Sequence, residues 1–205
     1  MMLSRRVLFA GASALLAAGC ADVVGPGPAP KLYTLNPPLT GPLAGAKAGW
    51  ALALQSPSAT AGLDTTRIAI TRPPASLDYF ADAAWADRLP VLVDAALLEA
   101  FERSGRIAAV ARDGDGTRYD AMIATELRDF ECRYDAGDGA PLAVVKIAAR
   151  LVGARNRAIV STAVFSKEVR ASANAIPAAV AALTEAYGAV LSELVPWALA
   201  QKLPG

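Results

Sequence analysis

The chain has 205 residues, 54% of them apolar and 19% charged, which suffices for one domain with a substantial core and excludes a disordered chain. Lysine plus arginine numbers 20 and aspartate plus glutamate 19, so the net charge is +1 and nothing in the balance indicates a nucleic-acid surface. Histidine is absent, which excludes Ser-His-Asp and Cys-His catalysis and every histidine-ligated metal site.

The first 19 residues have the pattern of an export signal. Arg5 and Arg6 form a short basic region, and residues 7–18, VLFAGASALLAA, follow without a charge. Twelve helical residues cover about 18 Å, whereas a bilayer core is about 30 Å thick, so we predict a signal peptide and not a membrane span. The paired arginines leave twin-arginine export and general secretion both open.

The signal ends in Ala17-Ala18-Gly19-Cys20, which resembles the lipobox of bacterial lipoproteins, where small residues precede a cysteine. We predict that residues 1–19 are removed and that Cys20 carries the diacylglyceryl and palmitate-type acyl chains, attaching the protein covalently to a membrane. Ala21 favours the outer membrane over the inner one, and Asp22 weakens that inference. Cys132 then has no partner within the chain, so we expect no internal disulfide.

Residues 20–31, CADVVGPGPAPK, mix proline and glycine without periodicity, and we predict a tether between the lipid and the domain. Residues 32–205 are predicted to form a single folded domain. Its strands are predicted from two-residue alternation at 33–35, 50–54, 67–72, 107–111, 119–134, 142–152 and 159–169.

Two segments change to helical spacing, at 85–104 and 177–201. Gly105 is a suitable residue to end the first helix, Pro90 marks its first turn or kinks it, and Pro196 should kink or split the second helix. Because two amphipathic helices need a sheet to cover, we predict an α/β sandwich with a mixed, largely antiparallel sheet covered by the two helices.

Three motifs that could carry chemistry are given structural interpretations. Residues 113–116, DGDG, lack the later ligands of a calcium-binding loop and are predicted to be a turn. Cys132 alternates with aromatic residues and is predicted to be a buried thiol. The carboxylates Glu126, Asp129 and Glu131 lie between arginines and are predicted to form a solvated face.

Several segments together resemble one family of bacterial proteins. They are LYTL at 32–35, GLDTTRIAI at 62–70, WADRLP at 85–90 and FERSG at 101–105, in this order after a lipobox. On these segments the chain resembles the ABC-type transport auxiliary lipoproteins, the family of the paraquat-inducible outer-membrane lipoprotein, over about residues 32–200.

The resemblance implies a small α/β domain and an auxiliary role in a mammalian-cell-entry (MCE) type ABC system, which moves lipids between the inner and outer membranes. The implied partners are the periplasmic MCE-domain protein and its ABC permease and ATPase complex, and a homo-oligomer stays open. We expect no cofactor, no metal, no nucleic-acid partner and no enzymatic activity. The alternative is a structural envelope lipoprotein without a transport role.

Six residues of the matching region are candidates for a site. Asp64, Arg67, Trp85 and Asp87 belong to the family segments, and we expect them to be mainly structural. Tyr79 and Phe80 lie in a stretch predicted to be a loop, where aromatic side chains could anchor a partner. The competing hypothesis is that both rings fold back into the core.

Overall fold

The computed structural model describes residues 29–39, 41–135, 137 and 139–203. The predicted signal peptide, the lipid attachment at Cys20 and most of the predicted tether lie outside the described residues. The described residues form nine strands and two long helices.

The described strands are β1 (Lys31–Tyr33), β2 (Ala48–Leu54), β3 (Ser58–Ala59), β4 (Arg67–Arg72), β5 (Ser76–Trp85), β6 (Ile107–Arg112), β7 (Ala121–Arg133), β8 (Leu142–Gly153) and β9 (Ile159–Arg170). The helices are α1 (Leu89–Ser104) and α2 (Ile176–Leu199). Most predicted elements are present, but β3 and β5 were not predicted, and residues 76–85 form a strand where we expected a loop.

The strands form one mixed, open sheet with the order β1-β5-β4-β7-β2-β6, and β8 and β9 continue from β7. In the described residues β1 pairs with β5 in parallel, and β2 pairs in parallel with both β6 and β7. The strands β3 and β4 also pair in parallel with β7. The antiparallel pairings are β4 with β5, β7 with β8 and β8 with β9.

The prediction of a mixed α/β fold with two helices is therefore confirmed, whereas a largely antiparallel sandwich is not. Antiparallel pairing joins neighbours in sequence through short turns, as in β7, β8 and β9. The strands before α1 reach β7 only after a long crossover that contains α1, and such a crossover gives parallel pairing. One face of the open sheet carries both helices, and no other described element covers the second face, which we call the uncovered face.

The hydrophobic core lies between the sheet and the helices. The inward side chains of β7 alternate with polar outward ones: Ile123 and Leu127 are buried, whereas Glu126 and Arg128 are exposed. An aromatic series crosses this core, because Phe130 of β7 packs edge-to-face on Trp85 at 6.1 Å and on Tyr187 at 5.8 Å between ring centroids.

The helix ends follow the predicted signals in part. Pro90 lies in the first turn of α1, and Gly105 ends α1 with a left-handed φ of 63°, as predicted. Helix α2 continues through Pro196 to Leu199, so Pro196 does not split it. Among the described helices α2 alone has the length and apolar composition of a membrane span, yet 61% of its most apolar window is buried in the domain. We describe α2 as a core helix.

Candidate functional site

Two of the family segments, GLDTTRIAI at 62–70 and WADRLP at 85–90, meet at one place in the fold, which we call the motif junction: the turn 60–66, the end of β5 and the start of α1. The turn closes on itself because the Leu63 and Asp64 backbone N–H groups both donate to the Thr60 carbonyl, at 2.9 and 2.8 Å. Its next carbonyls hold the other two elements. Thr66 accepts from the Trp85 N–H at 2.7 Å, and Thr65 accepts from the Leu89 N–H at 3.0 Å.

This backbone arrangement explains how α1 begins. The residue before α1 makes no side-chain cap. The Leu89 N–H, which would otherwise be an unpaired group at the helix N-terminus, is satisfied by the turn instead. The turn, β5 and α1 are thereby fixed relative to one another.

An ion pair closes the motif junction on the outside. Arg88 donates from Nε to Asp64 Oδ1 at 2.9 Å and also from Nη2 to Asp64 Oδ2. The hydrogen bond and charge of Asp64 raise the pKa of the Arg88 guanidinium. Asp87 contributes locally, since its Oδ1 accepts from the Arg88 N–H at 2.6 Å. Arg88 lies within the matching WADRLP segment, but we assigned it no role from sequence.

The remaining family residues have different environments. Trp85 is almost fully buried, at 1% exposure, and packs against Phe130. Arg67 is exposed and places its guanidinium carbon 3.7 Å from the centre of the Tyr79 ring. Such a cation–π contact is worth about 0.5–1 kcal/mol at an exposed site. The motif junction thus combines the buried ring of Trp85 with the exposed side chains of Arg67 and Arg88.

The candidate contact residues Tyr79 and Phe80 lie on β5. The Tyr79 hydroxyl donates to the Gly62 carbonyl at 3.1 Å, so Tyr79 braces the turn of the motif junction. Both side chains are half-buried, and both pack against the core. Each ring therefore contacts the domain while part of its surface faces solvent.

A cleft lies beside Tyr79 on the uncovered face of the sheet. It has a volume of about 450 Å³, and its apolar wall is the β4–β5 turn with Pro73, Pro74 and Leu77. Leu77 is 49% exposed and lies at the rim of this cleft. Arg72 and Arg128 line the same cleft, and Arg72 lies over the Tyr134 ring at 4.5 Å.

The carboxylates that we predicted to be a solvated face lie on β7. Glu131 accepts a hydrogen bond from the Thr71 hydroxyl at 2.9 Å and pairs with Arg133 at 3.4 Å. Glu126 is exposed and lies 3.7 Å from Arg128. Glu126 is therefore engaged in a surface ion pair, whereas the Glu131 side chain is only 13% exposed, so the prediction of a solvated face is wrong for Glu131. Among the residues that the structure describes, no group of histidine, cysteine, aspartate or glutamate side chains could hold a metal ion.

One buried ion pair was missed by the sequence reasoning. Asp94 of α1 is only 7% exposed, and its Oδ2 accepts from Arg112 Nε of β6 at 2.6 Å. Close by, Tyr187 donates its hydroxyl to the Val93 carbonyl at 2.8 Å, and burial with the Asp94 charge raises the Tyr187 pKa. The sequence offered one signal for this pair, because Asp94 lies among the apolar residues of the predicted helix.

The fold and the motif junction define a small mixed α/β domain with a braced loop and an uncovered sheet face. A family model for ABC-type transport auxiliary lipoprotein components matches residues 33–195. The protein belongs to this family, and its membership of a lipoprotein family assigns it to the cell envelope.

The chain is also similar to solved structures and to a curated relative. A crystal structure of a Xanthomonas campestris protein of family DUF330 has a TM-score of 0.76 and 30% identity, covering 82% of this chain and 95% of that one. A second crystal structure, of an uncharacterised protein, has a TM-score of 0.66 at 13% identity over 83% and 99% of the two chains, and shows the fold alone. An uncharacterised protein of Bradyrhizobium diazoefficiens is 32% identical over 183 residues, covering 88% of this chain and 48% of its own length. The chain therefore spans about half the length of that curated relative.

Proposed function

We propose that this protein is the lipid-anchored docking component of an MCE-type ABC system that moves lipids between the inner and outer membranes. The observation that carries the proposal is the family match over residues 33–195, which covers nearly all of the folded domain. The predicted lipid at Cys20 would place the domain at the outer membrane, facing the periplasmic MCE-domain protein and, through it, the permease and ATPase.

The proposed role is non-catalytic. The sequence has no histidine, and the thiol of Cys132 is buried in β7. Charged groups of the motif junction have partners within the domain: Asp64 pairs with Arg88, and Arg67 stacks on the ring of Tyr79. These features support a domain that presents a shaped surface to a partner.

We place the docking surface at the β4–β5 turn and the cleft beside it. Loops and turns on a rigid scaffold commonly carry binding, and apolar and aromatic side chains with arginine are frequent at interface centres. Leu77 is exposed, Tyr79 and Phe80 are half-exposed, and the arginines Arg72 and Arg128 line the cleft. The motif junction would hold this surface in a fixed position.

Binding of the full chain to the MCE-domain protein encoded in the same genome tests this surface. Tyr79→Ala and Phe80→Ala should weaken binding by 2 kcal/mol or more, about 30-fold in Kd, which is the usual threshold for an interface hot spot. Because Tyr79 also braces the turn, Tyr79→Phe removes the hydroxyl bond alone and should retain most of the binding. Val91→Ala, at an exposed position of α1, is the matched control.

Thermal unfolding of each variant separates docking from stability. A binding loss at an unchanged melting temperature supports the docking surface. If a variant loses stability but its folded fraction binds as wild type does, the docking role of that side chain is wrong. A chain that binds no MCE-domain protein in any form contradicts the proposed function as a whole.

A further inference from the structure

A second cleft lies at the end of the sheet where β2 and β7 begin and β8 ends. It has a volume of about 390 Å³, and small-molecule sites commonly measure roughly 300–1,000 Å³. Three separate parts of the chain line it: β2 with Trp50, the residue Asp120 just before β7, and the turn between β8 and β9 with Arg155 and Asn156. Polar groups from different elements thus converge on one concave site.

The carboxylate of Asp120 is fixed by the backbone around it. Its Oδ2 accepts a hydrogen bond from the Ala51 N–H at 2.9 Å. The backbone N–H of Asp120 donates to the Ala51 carbonyl, and its carbonyl accepts from the Ala154 N–H, each at 2.9 Å. Asp120 Oδ1 bonds to no residue that the structure describes. The cleft therefore contains an acceptor of set orientation with one oxygen free.

The turn between β8 and β9 holds two donors beside this acceptor. The Gly153 N–H donates to the Ala158 carbonyl at 2.9 Å, and the Ala158 N–H donates to Asn156 Oδ1 at 3.0 Å. These bonds close the turn and leave the Asn156 amide N–H groups without a partner in the described part of the chain. The Arg155 guanidinium likewise makes no hydrogen bond or ion pair with a described residue. Both side chains are exposed.

Trp50 supplies an aromatic wall. It is half-buried, packs against the core and also lines the cleft. Its Nε1–H makes no hydrogen bond within the described residues, so it is a further free donor. The cleft thus combines a flat apolar side chain with one fixed acceptor and several donors.

We infer that this cleft binds a neutral saccharide. A hydroxyl group both donates and accepts hydrogen bonds, so neighbouring hydroxyls can donate to Asp120 Oδ1 and accept from Arg155 and Asn156 at the same time. The C–H face of a sugar ring is apolar and packs on the flat face of an aromatic side chain such as Trp50. The charges of Asp120 and Arg155 cancel, which matches a ligand without net charge.

Other classes of small ligand leave part of this site unsatisfied. A phosphate or carboxylate ligand would meet the negative charge of Asp120, and an ammonium ligand would meet the positive charge of Arg155. An acyl chain would remove both charged groups from water without replacing their hydrogen bonds, which is costly. A neutral polyhydroxyl ligand satisfies each group that the cleft presents.

The saccharide cleft is separate from the proposed docking surface. The strand β1 runs parallel to β5 and therefore antiparallel to β7, so the chain enters β1 from the end of the sheet where β7 ends. The cleft beside Tyr79 also lies along the last residues of β7, as far as Arg133. The saccharide cleft is at the opposite end, farther from the predicted lipid attachment, and the inference does not depend on the transport role.

Calorimetric titration of the detergent-solubilised full chain with two neutral tetrasaccharides, maltotetraose and the tetramer of N-acetylglucosamine, tests this inference. We expect at least one of them to bind saturably and to change the tryptophan emission. That change should be absent in Trp50→Phe, because Trp85 is buried in the core and Trp197 packs on Phe165.

Two polar variants test the hydrogen bonds of the cleft. Asp120→Asn keeps an oxygen for the Ala51 N–H but replaces the free acceptor by a donor, and Arg155→Gln removes the guanidinium. Each should weaken binding about tenfold or more, as expected for the loss of a hydrogen bond to a charged group. Asp82→Asn and Arg103→Gln, at exposed positions outside the cleft, are the matched controls and should bind as the wild type does.

Thermal unfolding verifies that each variant is folded. The inference is wrong if neither tetrasaccharide binds at millimolar concentrations, or if folded Asp120→Asn or Arg155→Gln binds as the wild type does. A change in emission that persists in Trp50→Phe would place the saccharide elsewhere and also contradict it. Binding of inorganic phosphate or of phosphatidylglycerol vesicles through Arg155, without binding of either tetrasaccharide, would show an anion site instead.

Discussion

The buried carboxylate of Asp94 depends on a single cation. Arg112 is its ion-pair partner, and Asp94 Oδ1 has no hydrogen-bond partner among the described residues. Removing one partner of a buried pair is costly because the other charge stays in the core. The side chain of Arg112 is 45% exposed, whereas that of Asp94 is 10% exposed, so the two partners should not be equivalent.

We therefore predict that Arg112→Gln lowers the free energy of unfolding by about 1–3 kcal/mol, below the 3–5 kcal/mol of a fully buried pair because Arg112 is partly solvated. Asp94→Asn should cost less, since the freed guanidinium reaches water. Urea unfolding monitored by circular dichroism measures both. Arg103→Gln, which breaks an exposed pair with Glu99, is the control and should change little. An equal cost for Arg112→Gln and Arg103→Gln would contradict the assignment.

The thiol of Cys132 is a second buried group with a testable state. Burial, with a smaller effect of Glu131, raises its pKa from 9.0 to about 12. Because the unfolded chain loses the thiol proton first, the stability from this group is complete below about pH 9 and is lost as the pH rises towards 12.

We predict that a thiol reagent at pH 8 labels Cys132 very slowly in the native protein and rapidly in urea, because the thiolate is the reactive form. In Cys132→Ala, the fall in stability between pH 9 and pH 12 should be smaller than in the wild type. Rapid labelling of the native protein at pH 8 would show that the thiol is accessible and would overturn this description.

At the scale of the elements, two glycines provide a matched comparison. Gly105 ends α1 at a φ of +63°, and an added Cβ would meet nothing nearer than 4.0 Å. Gly49 lies in β2 with nothing within 4 Å of an added Cβ and without a left-handed φ. The cost of Gly105→Ala is therefore backbone strain alone.

We predict that Gly105→Ala lowers the free energy of unfolding by about 1 kcal/mol, the cost of an L-residue in the left-handed region. Gly49→Ala should be neutral or stabilising by up to about 1 kcal/mol, because it restricts the unfolded chain at a compatible position. Denaturation midpoints measure both, and the same sign for the two variants would contradict the assigned conformations.

The elements also show what the sequence could reveal. The long strands β7, β8 and β9 alternate buried and exposed residues, so the two-residue period identified them. The strand β5 lacks that period, because its pairing with β4 is shifted irregularly between Arg67 and Ala69. In the structure Pro73 and Pro74 form the turn between the paired strands β4 and β5. From the sequence we interpreted them only as the end of a strand. The strand β3 has 2 residues, too few for any period.

For the molecule as a whole, the composition of the layers was predictable and the order of the strands was not. Amphipathic helices, and strands with one apolar and one polar face, require a sheet that packs its apolar face against the helices. The pairing of β4 with β7, between Ala69 and Glu131, depends on how the whole chain crosses over α1. The same holds for the motif junction. The resemblance identified Asp64, Arg67, Trp85 and Asp87 as candidates. The ion pair between Asp64 and Arg88 is a tertiary contact, which the sequence does not show.

Covalent lipid is predicted to hold the whole molecule at a membrane. A buried acyl chain contributes about 0.8 kcal/mol per CH₂, and one chain alone binds only marginally, so stable attachment needs the two or three chains of a processed lipoprotein. Cys20 is the predicted attachment point, and Cys132, the other cysteine of the chain, is buried in β7. The two cysteines should therefore respond differently to substitution.

We predict that Cys20→Ser leaves an unprocessed or soluble precursor that takes up no labelled fatty acid. Cys132→Ala should be labelled and should fractionate with membranes as the wild type does, since its effect is confined to the core. Membrane fractionation and labelling with a fatty-acid analogue measure both. If Cys20→Ser stays with the membranes as the wild type does and the native protein is never labelled, then the domain is held by other means and the lipobox assignment is wrong.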